Sequence, residues 1–165
     1  MINSLIFKSL PYLFILLFIF FEFTPDYLLD DNLIKPYMFF TVLYCWVNND
    51  YRKFSPFSLL FLCTLYDLLN GDIVGITCLF FLFSQYSRRK QFNELIILDL
   101  KETWVKYILM LTTYICTILL LKLFLYNDEI IFKNVTISFI ASIAFYPLFF
   151  SIVNKLSHKF RSYNE

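Results

Sequence analysis

The sequence predicts an all-α, polytopic membrane protein of about six transmembrane helices in a single domain. Hydrophobic residues make up 59% of the 165, and the mean hydropathy of +0.66 is well above that of a soluble globular chain. The apolar residues gather into six runs separated by short polar stretches. Assigned to alternate sides of a membrane, the Lys and Arg residues between those runs fall almost entirely on one side.

Taken in order, the approximate helices are 9–29, 33–47, 54–69, 73–87, 104–126 and 135–156. The first opens after Lys8 and could be taken for a secretory signal, but Glu22-Phe23-Thr24-Pro25 is a poor substitute for a small-x-small cleavage pattern, so it reads as a retained helix. The second, third and fourth runs (Pro36–Val47, Phe54–Leu69 and Ile73–Tyr86) are short against the roughly 20 residues that span hydrocarbon. Flanking residues, local bilayer thinning or a re-entrant hairpin would accommodate them. Trp104–Tyr126 and Val135–Leu156 meet the length requirement directly.

The charge partition supports six crossings. One side receives Lys8, Arg52, Lys53, Arg88, Arg89, Lys90, Lys101, Lys155, Lys159 and Arg161; the other receives Lys35 and Lys133 among Asp26, Asp30, Asp31, Asp72, Asp128 and Glu129. Because Lys and Arg favour the cytoplasmic side, both termini are expected there. In the longest loop, 87–103, Phe92, Ile96, Leu100 and Trp104 recur every four residues, which fits an interfacial helix; Leu95–Leu98 fits a strand equally well.

The most specific stretch is Asp67-Leu68-Leu69-Asn70-Gly71-Asp72-Ile73-Val74-Gly75, which holds both glycines of the chain. Asn-Gly-Asp between two apolar runs reads as a tight turn. Gly71 is expected to close a helix in the left-handed conformation, and Gly75 to let a neighbouring backbone approach the next helix. Glu22, Asp67 and Lys122 lie within the predicted helices, toward their outer ends. A contact of Lys122 with Asp67 or Glu22 would fix the outer half of the bundle; alternatively, Lys122 and Glu22 snorkel to the interface. Asp67 is expected at the outer mouth, within a partner's reach. Thr41, Thr64, Thr77, Thr112 and Thr113 supply hydroxyls of the kind that bond one membrane helix to another.

Several function classes find no support. A net charge of +1 lacks the basic face that nucleic acid requires. Cys45, Cys63, Cys78 and Cys116 each lie inside an apolar run without metal-ligand spacing, and His158 stands alone in a basic tail. Buried apolar thiols and a solvated histidine are therefore expected, with no metal and no cofactor. Neither a Ser/His/Asp set, HExxH nor a Gly-rich phosphate loop is present, so no enzymatic activity is expected.

Lys35-Pro36-Tyr37 opening a short run that closes on Tyr44-Cys45-Trp46, then a polar Asn-Asp-Arg-Lys loop, then Asp67-x-x-x-Gly71-x-x-x-Gly75, resembles the bacterial rod-shape-determining MreD family. The family's second-helix proline maps to Pro36, its tryptophan to Trp46, its acid to Asp67 and its glycines to Gly71 and Gly75. Lys35 stands where the family has Arg, Tyr37 where it has Asp, and Cys45 separates Tyr44 from Trp46. The likeness covers about residues 35–89. It implies a non-enzymatic inner-membrane scaffold of the cell-elongation, peptidoglycan-synthesis machinery, beside an MreC-like bitopic protein and connecting MreB filaments to wall-synthesis enzymes. The family is also similar in fold to the substrate-binding subunits of energy-coupling-factor transporters, so the alternative expectation is a small-solute, vitamin-binding subunit.

Overall fold

The computed structural model describes residues 2–23, 35–49, 53–71, 73–91, 99–126 and 132–161. These form six helices: α1 (Ile2–Phe23), α2 (Met38–Asn49), α3 (Pro56–Asn70), α4 (Ile76–Gln91), α5 (Leu100–Tyr126) and α6 (Phe132–Arg161). Two of them, over Leu100–Phe124 and Phe132–Ser157, are long and apolar enough to cross a membrane. Several of the predicted loop charges, the predicted end of the first helix (24–29), the interfacial stretch 92–98 and the side chain of His158 lie outside the described residues.

The second helix is the centre of the bundle. It packs chiefly on α6, α1 and α4, and every residue after Met38, from Phe39 to Asn49, is buried. A helix buried all round has no face for solvent or lipid, and at 12 residues it is only about 18 Å long. The predicted start at residue 33 moves to Met38 because Lys35, Pro36 and Tyr37 are not helical. Pro36 turns the chain instead, its carbonyl accepting from the Met38 N–H at 2.8 Å.

An aromatic core surrounds this helix. The rings of Tyr107 (α5) and Tyr146 (α6) stack at 4.5 Å, Tyr44 meets Tyr107 at 5.3 Å, and Phe40 meets Tyr114 at 4.6 Å. On α5 the buried Tyr107, Leu111 and Tyr114 recur at the i, i+4, i+7 spacing of one helical face. Most helix hydroxyls act locally, contrary to the expectation of cross-helix bonds. Thr64, Thr112 and Thr113 donate to carbonyls four residues back on their own helices, which satisfies a hydroxyl without a partner helix. Two do cross: Thr41 shares a 2.7 Å bond with the Tyr107 hydroxyl, and Thr77 a 2.9 Å bond with that of Tyr114.

Pro147 lies inside α6. A proline has no N–H for the carbonyl four residues earlier, here Ile143, and the indole N–H of Trp104 on α5 donates to that oxygen at 3.3 Å. Of the cysteines, Cys45, Cys63 and Cys78 are buried as expected; Cys116 is exposed on α5. Large apolar side chains face outward on every helix but α2, among them Phe20, Phe57, Phe83, Phe124 and Ile140.

The third helix starts where its sequence provides a cap. Pro56 occupies its first turn, and Ser55 Oγ accepts from the Ser58 N–H at 3.1 Å. Ser55→Ala is expected to cost about 1 kcal/mol, and Ser55→Asn much less. Thermal melts of the purified chain in detergent check this; equal loss in both variants would mean that the cap is not what holds this end.

Candidate functional site

The site is assembled around the N-terminal end of α2, where the first-turn N–H groups have no partners within the helix. Glu22, at the end of α1, supplies one from a neighbouring helix: its Oε2 accepts from the Phe39 N–H at 2.9 Å. The other oxygen, Oε1, accepts from the Tyr66 hydroxyl of α3 at 2.9 Å. A carboxylate at a helix N-terminus is further favoured by the helix dipole. Lys35 closes the arrangement from below, its ammonium donating to the Glu22 carbonyl at 3.1 Å. From the other side, Ser142 of α6 accepts from the Tyr37 N–H at 2.8 Å and donates to the Ser138 carbonyl at 2.6 Å.

Tyr66 reaches Glu22 because it belongs to the inward stripe of α3, with Leu59, Leu62, Cys63 and Asp67. Its ring is fully buried and stacks on Phe39 at 4.2 Å, so one side chain joins α1 by its hydroxyl and α2 by its face. Next to it, Asp67 faces the following turn. It is 1% exposed, and its Oδ2 accepts from the Gly75 N–H at 2.8 Å.

The two glycines occupy positive-φ positions. Gly71 ends α3 in the left-handed conformation at φ 66°, its N–H directed at the Asp67 and Leu68 carbonyls. Gly75 sits at φ 101°, just before α4, and its carbonyl accepts from the Leu79 N–H at 3.0 Å. A Cβ at either glycine would meet nothing within 4 Å. This corrects the expected role of Gly75: it precedes α4 rather than lying on it, and it is required by backbone conformation, not by a close helix approach.

The structure thus unites Glu22, Asp67, Gly71, Gly75 and Pro36 at one end of the bundle, with Trp46 away from them. Trp46 lies toward the opposite end of α2, fully buried, with the Lys53 ammonium 5.2 Å from its ring centroid. Lys122 is half-buried on α5, a helix that packs chiefly on α4 and α6. Glu22 accepts from Phe39 and Tyr66 and Asp67 accepts from Gly75, so Glu22 does not snorkel. Asp67 likewise turns inward instead of standing open to a partner. Sequence reasoning missed Tyr66 and Ser142; the 59, 62, 63, 66 spacing carried the signal for the first, and nothing local carried it for the second.

Chemically, the arrangement ties backbone together: both acids accept from main-chain N–H groups, and Glu22 adds a phenol. Among the described residues no group of three His, Cys, Asp or Glu side chains is placed to hold a metal ion. Comparison with models of known protein families, with characterised proteins and with solved structures finds no match to this chain.

Two outcomes follow from this geometry. Tyr66→Phe is expected to cost about 1.5–3 kcal/mol with Glu22 in place, and to become neutral or stabilising in a Glu22→Leu background, where the buried hydroxyl has lost its acceptor. A double-mutant cycle by thermal or denaturant unfolding in detergent reads this; equal costs in both backgrounds would exclude the bond as a stabilising link. Gly75→Ala is expected to cost about 1–3 kcal/mol through backbone strain, and Gly75→Leu no more than about 0.5 kcal/mol beyond that, since nothing crowds the site. A Leu variant far worse than Ala would restore the close-approach reading.

Proposed function

We propose that the chain is a multi-pass, non-enzymatic scaffold of the bacterial inner membrane that serves the cell-elongation machinery, as its resemblance to the MreD family implies. Its partners in this reading are an MreC-like bitopic protein, MreB filaments and peptidoglycan-synthesis enzymes. The observation that carries the reading is where the acids go. Glu22 and Asp67 are directed onto the bundle's own backbone and onto Tyr66, which builds a stiff frame around α2.

A membrane setting for the whole bundle is supported by its surface. Phe20, Phe21, Phe57, Phe61, Phe83 and Phe124 all face outward, more apolar exposure than a water-soluble monomer carries. Helices α3 and α4, of 15 and 16 residues, are about 22–24 Å long, so they cross where the bilayer is locally thin or where α5 and α6 tilt. The solute-binding alternative calls for polar groups converging on an outward pocket; the use of Glu22 and Asp67 as internal clasps counts against it.

Reporter fusions after Glu165 and at Asp128 are expected to give opposite signals, with the terminus cytoplasmic; matching signals would contradict the six-crossing topology. Detergent extraction from the native membrane with the chain tagged should retain a bitopic protein bearing an external coiled coil. A vitamin held in stoichiometric amount, with no such protein, would favour the transporter subunit instead.

A further inference from the structure

A cleft of about 370 Å³ opens between α4 and α5 at the end of the bundle opposite the Glu22 site, with α2 as its floor. Its size falls within the roughly 300–1,000 Å³ of small-molecule sites. The lining changes character along its length. Arg88, Lys106 and Asn48 stand at one end, and Phe83 and Leu109 form walls toward the middle of the bundle. Phe83 and Arg88 are five positions apart on α4, about 7.5 Å of helix, with Ser84 and Ser87 lining the cleft between them.

The polar end has donors to spare. Arg88 gives one N–H to the Asn48 carbonyl at 2.9 Å, leaving the rest of its planar fork for an acceptor in the cleft. Asn48 is 6% exposed and lines the cleft, yet its side-chain Nδ2 has no hydrogen-bond partner among the described residues. A buried amide N–H of this kind is costly to leave unpaired. The Lys106 ammonium meets Glu102 at 2.6 Å, but both side chains are substantially exposed, and such a surface pair is weak and easily exchanged. Arg89 and Lys101 stand near the same end of α4 and α5. Outside the cationic end, Phe83 and Leu109 are exposed at 73% and 62%, facing where lipid chains would lie.

We propose that this cleft binds one anionic phospholipid, its phosphate held by Arg88 and Lys106 beside the Asn48 amide and one acyl chain laid between Phe83 and Leu109. The proposal rests on the membrane-embedded reading, not on the identity of the elongation partners. Charge complementarity selects the ligand class: basic pockets between membrane helices on the cytoplasmic side take anionic headgroups, and the inner leaflet supplies them. A zwitterionic lipid would bring a third cation to a site already holding Arg88 and Lys106.

The test uses the full chain purified in detergent, delipidated and exposed to equal amounts of phosphatidylglycerol and phosphatidylcholine, with bound lipid counted by native mass spectrometry. One phosphatidylglycerol is expected to be held with about fivefold or greater preference, and Lys106→Glu to abolish that preference. Leu109→Trp, on an exposed wall, should reduce retention of both lipids by filling the acyl path. Arg88→Gln is a weaker probe, because it also removes the bond to the Asn48 carbonyl. Equal retention of the two lipids, unaltered phosphatidylglycerol binding in Lys106→Glu and Leu109→Trp, or displacement of the lipid by millimolar inorganic phosphate would each overturn the proposal. A chain removed from membranes by an alkaline wash would overturn the membrane reading as well; an embedded chain without the preference overturns this site alone.

Discussion

The Glu22 carboxylate is the constraint on which the rest of the bundle depends. The second helix is only 12 residues long, too short to be stable by itself, and it is buried on all sides. An unpaired N–H at its first turn would have no water to bond with in a lipid setting, where each unsatisfied backbone group costs several kcal/mol. Glu22 answers that need from α1 and Ser142 answers it from α6, so the end of the central helix is fixed by its two neighbours. Through Tyr66 the same carboxylate fixes α3, and through the adjacent Asp67 the α3–α4 turn. Four helices are therefore referenced to one end of α2.

What α2 loses in length it regains in packing. Phe39, Phe40, Tyr44 and Trp46 fill the middle of the bundle, against Tyr66, Phe81, Tyr107, Tyr114 and Tyr146 from the surrounding helices. In the membrane setting proposed above there would be no hydrophobic drive between helices, and dispersion and a few cross-helix hydrogen bonds would decide which faces meet. Offset and stacked rings suit this role, since each ring offers large contact area with little rotamer entropy to lose. The Thr41–Tyr107 and Thr77–Tyr114 bonds then give the aromatic core a fixed register that ring contacts alone would not.

Much of this was legible in the sequence. Helical class, the number of helices among the described residues and the turn at Gly71 follow from apolar run length and from the conformational freedom of glycine. The bonds of the two acids were not legible, for a physical reason. A buried carboxylate is satisfied by backbone N–H groups at helix starts, and those carry no letter in the sequence. Gly75 misled in a similar way: four-residue glycine spacing has the look of a packing face, but the helix begins one residue later, at Ile76. The centrality of α2 was hidden by its brevity, because a short apolar run reads as a poor crossing and not as a core.

The most direct test of the clasp is hydrogen exchange at the Phe39 amide, followed in the folded chain in detergent with and without Glu22→Leu. If the Glu22 carboxylate holds the first turn of α2, the Phe39 amide exchanges nearly as slowly as the middle of that helix in the wild type. In the variant its protection should fall by about 1–3 kcal/mol, while the amides near Trp46 change little. Unchanged protection of Phe39 in Glu22→Leu would contradict the account, because the end of α2 would then be held by something other than this carboxylate.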